Sequence, residues 1–188
     1  IVDSLTRYAM ALREIGLSLG EAPVARGYPP SVFARMPELV ERVGNGANPN
    51  GSITAFYTVL LEGDDTNDPV ADTARGILDG HFFLSRELAD SGHYPAVDVE
   101  KSISRVMPKV VSKEHLLSAR RLKQLYSRYM RGRDLVSMGA YIAGTDPDLD
   151  AALQAWPHIQ AFLQQDAEQA IPIDETEKRL FKIAPPVV

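Results

Sequence analysis

The sequence predicts an α/β region followed by an all-α region. Two stretches rich in β-branched and aromatic residues, 53–61 and 81–85, alternate with helical patterns in the first half of the chain. Such alternation is typical of an α/β fold with a mainly parallel sheet. From about Val111 onward only helical periodicity is present, which indicates a helical bundle. We therefore predict two domains, residues 1–110 and 111–188.

The charge and the cysteine content exclude several classes of function. The formal net charge is -5 and the pI is near 5.4, which disfavours nucleic acid or an anionic membrane surface as the main partner. The absence of cysteine excludes disulfides, thiolate metal sites and cysteine nucleophiles. No apolar run approaches the roughly 18 residues that a membrane-spanning helix needs.

The first half begins with a helix. Asp3 and Ser4 are suited to cap it, and apolar residues recur at helical spacing through residues 5–19. The chain opens on Ile1 and Val2 rather than on methionine, a pattern typical of the end of a buried strand, and we expect a C-terminal part of a longer protein. A carboxylate that follows such a strand lies where open α/β sheets hold ligands.

Turn residues and apolar runs divide the rest of this half. The predicted elements are a helix over 31–43 containing Pro37, a turn-rich break over 44–51, a buried strand over 53–61, a helix over 70–78, a short buried strand over 81–85 and a helix over 86–90.

The acidic stretch 62–68 is one candidate for a metal site because of its carboxylates. It lacks the spacing and the glycine of a calcium loop, whereas Asp68 followed by Pro69 is typical of a helix N-terminus. We therefore interpret the stretch as a capped turn. The four histidines have no ligand spacing and are interpreted as structural or exposed.

The seam between the two halves, residues 92–108, carries an aromatic at one end and an arginine at the other. Tyr94, fixed by Pro95, offers a flat face for stacking, and Arg105 lies among small residues from which it can be aimed at an anion. The alternative is a buried tyrosine and a surface salt bridge.

Helical patterns account for the second half. Predicted helices start at residue 112, at 135 (through 143), at 146 (through about 165) and at 174. The first of them carries a run of basic residues, which we interpret as a solvated face because no aromatic side chains interleave it. The run consists of Arg120, Arg121, Lys123, Arg128 and Arg131.

Six motifs of the sequence occur together in one known family. They are Asp3-Ser4-Leu5-Thr6-Arg7-Tyr8, Gly27-Tyr28-Pro29-Pro30-Ser31, Gly51-Ser52-Ile53-Thr54, Gly63-Asp64-Asp65 with Asp68-Pro69, Leu78-Asp79-Gly80-His81, and Gly92-His93-Tyr94-Pro95-Ala96 through Ser102-Ile103-Ser104-Arg105. Together they resemble the ATPases of type III export, a family that includes flagellar and injectisome ATPases and, more distantly, the catalytic subunits of F-type ATP synthases. The resemblance extends over nearly the whole chain, and residues 56–57 and 44–46 favour the flagellar branch.

The resemblance implies the C-terminal part of a RecA-like P-loop ATPase sheet domain, followed by a helical bundle domain, and it implies roles for five residues. Asp3 is similar to the Walker B carboxylate, which orders Mg²⁺ through water, and Arg7 is implied to orient carboxylates. Tyr94 is similar to the aromatic that packs on the adenine of ATP, and Phe162 to a further aromatic near it. Arg105 is similar to the arginine finger, which acts on nucleotide held by the neighbouring subunit of a homohexamer.

Two acidic stretches are similar to parts of the synthases that contact a central stalk. One contains Asp64, Asp65 and Asp68, and the other contains Asp146 and Asp148. A basic coiled-coil partner suits their charge, and the alternative for each is an ordinary capped turn. Further partners implied by the resemblance are an export regulator, export chaperones and substrates, and the export gate at the membrane.

The phosphate-binding loop and the glutamate that polarises water would lie upstream of Ile1 in this family. We therefore expect these 188 residues alone to bind nucleotide weakly and to hydrolyse none. The expected parent is a cytoplasmic ATPase, peripheral at the inner membrane, that energises flagellar protein export. The alternatives are an injectisome ATPase, a non-catalytic module that docks substrates or chaperones, and a hexameric RNA translocase, which the acidic balance disfavours.

Overall fold

The computed structural model describes residues 1–47, 51–61, 63, 65 and 67–186. The chain divides into two compact units, Ile1–Asp79 and Gly80–Val188. The two units are defined by how compactly their residues pack. The boundary predicted after residue 110 instead separates a sheet domain from a helical domain, and it stays a prediction. Within the described residues, no helix is both long enough and apolar enough to cross a bilayer.

The first unit contains three helices and a two-residue strand pair. The helices bury one apolar face each, and their shared core consists of Leu5, Ala9, Tyr28, Val32, Met36, Val70 and Ala74. Its elements are α1 (Leu5–Ser18), α2 (Pro30–Val40), β1 (Gly44–Asn45), β2 (Ser52–Ile53) and α3 (Pro69–Ile77), with β1 antiparallel to β2.

Side-chain caps fix the starts of α1 and α3, as the sequence predicts. The Ser4 hydroxyl accepts the backbone N–H of Arg7 at 3.2 Å, and the Asp68 carboxylate accepts that of Ala71 at 2.9 Å. Pro69 occupies the first turn of α3, where its missing N–H costs nothing. The interpretation of residues 62–68 as a capped turn is therefore confirmed at Asp68.

The prediction of a long buried strand over 53–61 is wrong. Only β2 and a single parallel bridge, Val2 to Tyr57, are formed there, and Phe56 is 57% exposed. The bridge is held by Val2 N–H donating to the Phe56 carbonyl at 2.8 Å and Thr58 N–H donating to the Val2 carbonyl at 3.0 Å. Among the described residues, Val2 is the one parallel partner of this segment. The parallel pairing that we expect of the sheet is therefore limited to this bridge, and no parallel ladder forms.

The second unit joins a β-hairpin to a helical bundle. Its elements are β3 (Gly80–Leu84), α4 (Arg86–Asp90), β4 (Val97–Ser104), α5 (Met107–Val110), α6 (Lys113–Ser137), α7 (Pro147–Leu163) and α8 (Ile173–Ile183). Strands β3 and β4 are antiparallel, with Gly80 opposite Ser104, Leu84 opposite Val97 and an irregularity between His81 and Phe83.

Strand β3 is formed as predicted, but it is not buried. Phe82 and Leu84, which lie on the same face of β3, are 72% and 70% exposed, because pairing with β4 covers an edge of the strand and not this face. On the opposite face the His81 ring lies 2.9 Å from the Lys101 carbonyl, and the Lys101 ammonium lies 4.8 Å from the centre of the Phe83 ring. The latter is within cation–π distance.

Helices α6, α7 and α8 pack around one core. Its buried residues include Leu122, Leu125 and Tyr126 of α6 and Ile159 of α7, and Tyr129 stacks on Trp156 with ring centres 3.7 Å apart. The bundle predicted for the second half is therefore present.

A separate helix over 135–143 was predicted and is not formed. Helix α6 instead continues to Ser137 and ends in a Schellman motif. Gly139 adopts a left-handed φ of 69°, its N–H donates to the Val136 carbonyl at 3.0 Å, and the Ala140 N–H donates to the Leu135 carbonyl at 3.1 Å. These bonds satisfy the last carbonyls of α6 and turn the chain away from the helix axis.

We expect Gly80→Ala to lower the free energy of unfolding by about 1–3 kcal/mol, the usual cost of overpacking. A Cβ at this position would lie 2.4 Å from the Ile103 carbonyl oxygen of the paired strand, and a backbone atom in a ladder has little room to move. Urea unfolding followed by circular dichroism measures the change. Gly76→Ala in α3 is the control, because its Cβ meets nothing within 4 Å and a helical alanine is expected to raise stability by about 0.5–1 kcal/mol. Equal stability of the Gly80 variant and the wild type would contradict this packing.

Candidate functional site

Asp3 lies at the end of the parallel bridge and immediately before α1. Its side chain is exposed, and its Oδ1 accepts the Thr58 hydroxyl at 2.6 Å. The backbone bonds between Val2 and residues 56–58 hold the two segments together. The carboxylate therefore follows a single parallel bridge rather than a full buried strand, and its role in ligand binding stays a prediction.

The donor set around Asp3 fits Mg²⁺ bound through water. No group of three or more acidic or histidine side chains that would cage a metal occurs among the described residues. Mg²⁺ does not need such a cage, because it keeps several waters and takes one or two protein carboxylates. A carboxylate that accepts one hydroxyl still has acceptor sites for metal-bound water.

Arg7 lies in the first turn of α1, four residues after Asp3. Its backbone N–H caps the helix through Ser4, and its side chain is exposed. The ion pairs found in the described part of the chain include none between Arg7 and Asp3.

Tyr94 presents an exposed ring on an anchored backbone. The carbonyl of Tyr94 accepts the Gln165 N–H at 3.0 Å, while the neighbouring His93 N–H donates to the Leu88 carbonyl at 2.9 Å. The side chain of Tyr94 is 59% exposed, so the alternative of a buried tyrosine is wrong. Burial of the His93 side chain lowers the pKa of its imidazole, which favours the neutral ring beside Tyr94.

The structure places Phe162 near the backbone partner of Tyr94. Phe162 lies in the last turn of α7, three residues before Gln165, and packs half-buried against the bundle core. The two aromatics assigned to adenine by resemblance therefore belong to segments joined by a hydrogen bond.

Arg105 directly follows the last residue of β4 and is exposed. The Ser104 hydroxyl accepts the Met107 N–H at 3.2 Å, which closes the turn through residues 105–106 and starts α5. Pairing of Ser104 with Gly80 anchors the other side of this turn. The arginine therefore projects from a short, anchored turn at the end of a strand.

The acidic residues assigned to stalk contact differ in what engages them. Asp65 pairs with Arg26, and the Asn67 N–H together with the Arg26 guanidinium holds the pKa of the Asp65 carboxyl below its ordinary value. Asp68 caps α3. Asp64 lies outside the described residues.

The second acidic stretch is a capped turn with one exposed carboxylate. Asp146 accepts the Leu149 N–H at 3.0 Å and pairs with Arg128, whereas Asp148 is exposed in the first turn of α7. Asp150, in the same acidic stretch, accepts the Tyr141 hydroxyl at 2.7 Å and the Gly144 N–H at 2.8 Å. It therefore braces the loop between α6 and α7.

Two family models match consecutive parts of the chain. The nucleotide-binding domain of the ATP synthase alpha/beta family matches residues 1–104, and the C-terminal domain of the T3SS EscN ATPase matches residues 111–182. These matches confirm the predicted fold class and the resemblance to type III export ATPases.

Relatives from flagellar and secretion systems are similar over nearly the whole chain. A flagellum-specific ATP synthase of Pseudomonas aeruginosa is 60% identical over 183 residues, which cover 97% of this chain and 41% of the relative. A type 3 secretion system ATPase of Pseudomonas syringae pv. syringae is 50% identical over 183 residues, covering 97% of this chain and 40% of the relative. The chain thus spans about two fifths of the length of these relatives.

Solved structures have the same fold. The assembled ATPase EscN of the enteropathogenic E. coli type III secretion system superposes with a TM-score of 0.93 at 48% identity, over 97% of this chain and 44% of that one. EscN in complex with its central stalk EscO gives a TM-score of 0.87 at 46% identity, over 97% of this chain and 43% of that one. With more than half of its residues matched by the nucleotide-binding domain model, the chain belongs to the ATP synthase alpha/beta family.

Proposed function

We propose that the chain is part of a ring-forming ATPase that energises protein export through the flagellar type III apparatus. The observation that carries the flagellar assignment is the 60% identity with a flagellum-specific relative, against 50% with the secretion ATPases of Pseudomonas syringae. The parent protein would act in the cytoplasm, peripheral to the inner membrane, and its substrate would be ATP.

In this proposal Asp3 orders Mg²⁺ through bound water, and Arg7 orients the carboxylates around it. Thr58 positions Asp3, because its hydroxyl donates to one carboxylate oxygen. When bound, Mg²⁺ neutralises charge on the β- and γ-phosphate oxygens.

Tyr94 and Phe162 would bind the adenine of ATP. The exposed ring of Tyr94 offers a face for stacking on the base, and its anchored backbone limits the conformational entropy lost on binding. Phe162 contributes from the end of α7.

Arg105 acts in trans on nucleotide held by the neighbouring subunit of a homohexamer. Its guanidinium would stabilise negative charge on the transferring phosphoryl group. The turn that carries it is closed by the bond from the Met107 N–H to the Ser104 hydroxyl. Support for a ring comes from the relative EscN, which is described as an assembled ATPase.

The acidic loops would face a central stalk, as EscN binds its stalk EscO. Asp148 is the exposed carboxylate of the second loop, while Asp65, Asp68 and Asp146 shape the turns through the hydrogen bonds and ion pairs described above. Asp64 belongs to the same proposal. An export regulator, chaperones, substrates and the export gate are the remaining proposed partners.

We expect Tyr94→Ala to raise the KM for ATP about tenfold while leaving kcat nearly unchanged, because stacking on a base contributes roughly 1–3 kcal/mol and is present before and during hydrolysis. Steady-state kinetics of the full-length protein measure both constants. Tyr94→Phe is the control and should keep the wild-type KM. A fall in kcat at constant KM would contradict an adenine-stacking role.

Deleting the gene tests the export assignment. We expect the deletion strain to lose flagellar filaments and swimming, and the wild-type gene, but not one carrying Arg105→Ala, to restore both. Microscopy of filaments and swarm diameter on soft agar are the measurements. A motile deletion strain that has lost secretion of effector proteins would instead assign the ATPase to an injectisome.

A further inference from the structure

A basic groove runs along α6 within the second unit. It has a volume of about 760 Å³ and is open to solvent. We call it the α6 groove and define it by the five cationic side chains that line it, Arg120, Arg121, Lys123, Arg128 and Arg131.

The helical repeat places these cations on one broad side of α6, in a stripe that runs from residue 120 to residue 131. Arg120 and Arg131 lie eleven residues apart, at positions i and i+11, with Gln124 and Ser127 between them at i+4 and i+7. At 1.5 Å per residue this stripe is about 16 Å long, or three helical turns. The groove is therefore an elongated positive feature on a chain whose net charge is -5.

Four of the five cations have no counter-ion within the described part of the chain. Arg128 pairs with Asp146, and the Lys123 ammonium donates to the Ser102 carbonyl at 3.3 Å. The ion pairs among the described residues involve neither Arg120, Arg121 nor Arg131.

The side chains of the groove favour carboxylates over a polyphosphate backbone. Four of the five cations are arginines, whose planar guanidinium groups bind carboxylates through two parallel hydrogen bonds. Two carboxylates, Glu100 and Asp148, also line the groove and would repel a continuous chain of phosphates. No aromatic side chain lines it, so it offers no stacking platform for bases.

We propose that the α6 groove binds an acidic helical segment of a separate polypeptide. Three turns of a partner helix would match the length of the stripe, with glutamates or aspartates at i, i+4, i+7 and i+11 forming one acidic face toward the groove. Positions opposite Glu100 and Asp148 would be neutral or basic. The solvated face inferred from the sequence is thus reassigned as a binding face, and this assignment does not rest on the proposed ATPase activity.

The experiment uses a synthetic, fluorescein-labelled, alanine-based peptide of about 16 residues with glutamates on one helical face, at i, i+4, i+7 and i+11. This length is near the lower limit at which isolated helices form. Fluorescence anisotropy gives its Kd for the intact protein, at salt concentrations from about 50 to about 300 mM. We expect the triple variant Arg120→Gln/Arg121→Gln/Arg131→Gln to bind about tenfold or more weakly, since each exposed ion pair contributes a small increment.

A charge-matched variant and two control probes make the test specific. Arg35→Gln/Lys109→Gln/Lys182→Gln removes the same charge away from the groove and should change the Kd less than about twofold. A peptide of the same composition with its glutamates dispersed around the helix should bind more weakly than the one-faced peptide. Thermal unfolding checks that both triple variants are folded.

Three results would overturn the proposal. The first is no binding of the one-faced peptide to wild type, and the second is equal binding to wild type and the groove variant. The third is tighter binding of a single-stranded oligonucleotide or of phosphatidylserine vesicles than of the peptide, lost in the groove variant, which would assign the groove to another class of ligand. Loss of peptide binding in the groove variant alone supports it, whatever the ATPase activity.

Discussion

Replacing Arg105 with alanine is expected to lower the kcat of ATP hydrolysis by about 10³- to 10⁵-fold, the range by which arginine fingers accelerate phosphoryl transfer. The KM should change little, because the guanidinium acts on charge that develops in the transition state. Steady-state hydrolysis by the full-length protein, measured over a range of protein concentrations, gives both constants and their dependence on assembly.

Two variants separate a catalytic effect from a structural one. Arg105→Lys keeps the charge but loses the planar fork and should recover part of the rate. Arg86→Ala removes another exposed arginine of the second unit, at the start of α4, and should leave kcat within about twofold of wild type. Wild-type kcat in the Arg105→Ala protein would remove this residue from the mechanism.

Asp3→Asn is expected to lower activity by about 10- to 100-fold, the usual effect of losing an outer-sphere metal partner. The amide keeps the size of the carboxylate and an oxygen that accepts the Thr58 hydroxyl, so the substitution removes the charge and leaves the local packing. The Mg²⁺ concentration for half-maximal activity should rise, and a magnesium titration of the steady-state rate measures this shift.

Two further variants control for Asp3. Thr58→Val removes the hydroxyl that positions the carboxylate and should give a smaller loss of activity in the same direction. Glu14→Gln removes an exposed carboxylate from the same α1 helix and should have no effect. An unchanged magnesium dependence in Asp3→Asn would place the metal elsewhere.

Local signals in the sequence predicted the helix starts well. Ser4, Asp68 and Asp146 each accept a backbone N–H three residues ahead, and a cap of this kind depends only on neighbouring residues. The end of α6 was missed although Gly139 is a typical terminator, because the apolar residues over 135–143, which span this glycine, were interpreted as a new helix.

Strand pairing was less predictable because it depends on distant segments. The run 53–61 has the composition of a buried strand, but its parallel pairing is limited to Val2 and it stays half-exposed. For the same reason no local pattern indicated the bond from Thr58 to Asp3, two residues that lie 55 positions apart.

The roles of the candidate site residues rest on resemblance, whereas the pattern alone indicates a stacking face at Tyr94 and an arginine aimed at an anion at Arg105. The structure shows an exposed Tyr94 ring and an anchored turn through residues 105–106. Adenine binding and action in trans stay predictions. The α6 groove was missed because a run of cations on a helix does not tell whether the neighbouring elements make its surface concave.

The most direct test of the account is complementation between two impaired proteins. Full-length Arg105→Ala and Asp3→Asn subunits carry different tags, are coexpressed, and rings that contain both tags are purified. If Arg105 serves the neighbour's nucleotide, an Arg105→Ala subunit beside an Asp3→Asn subunit regains a complete site. In randomly mixed rings we then expect about a quarter of wild-type activity, since one interface in four has this arrangement. Activity no higher than that of the separate variants would contradict an arginine that acts in trans.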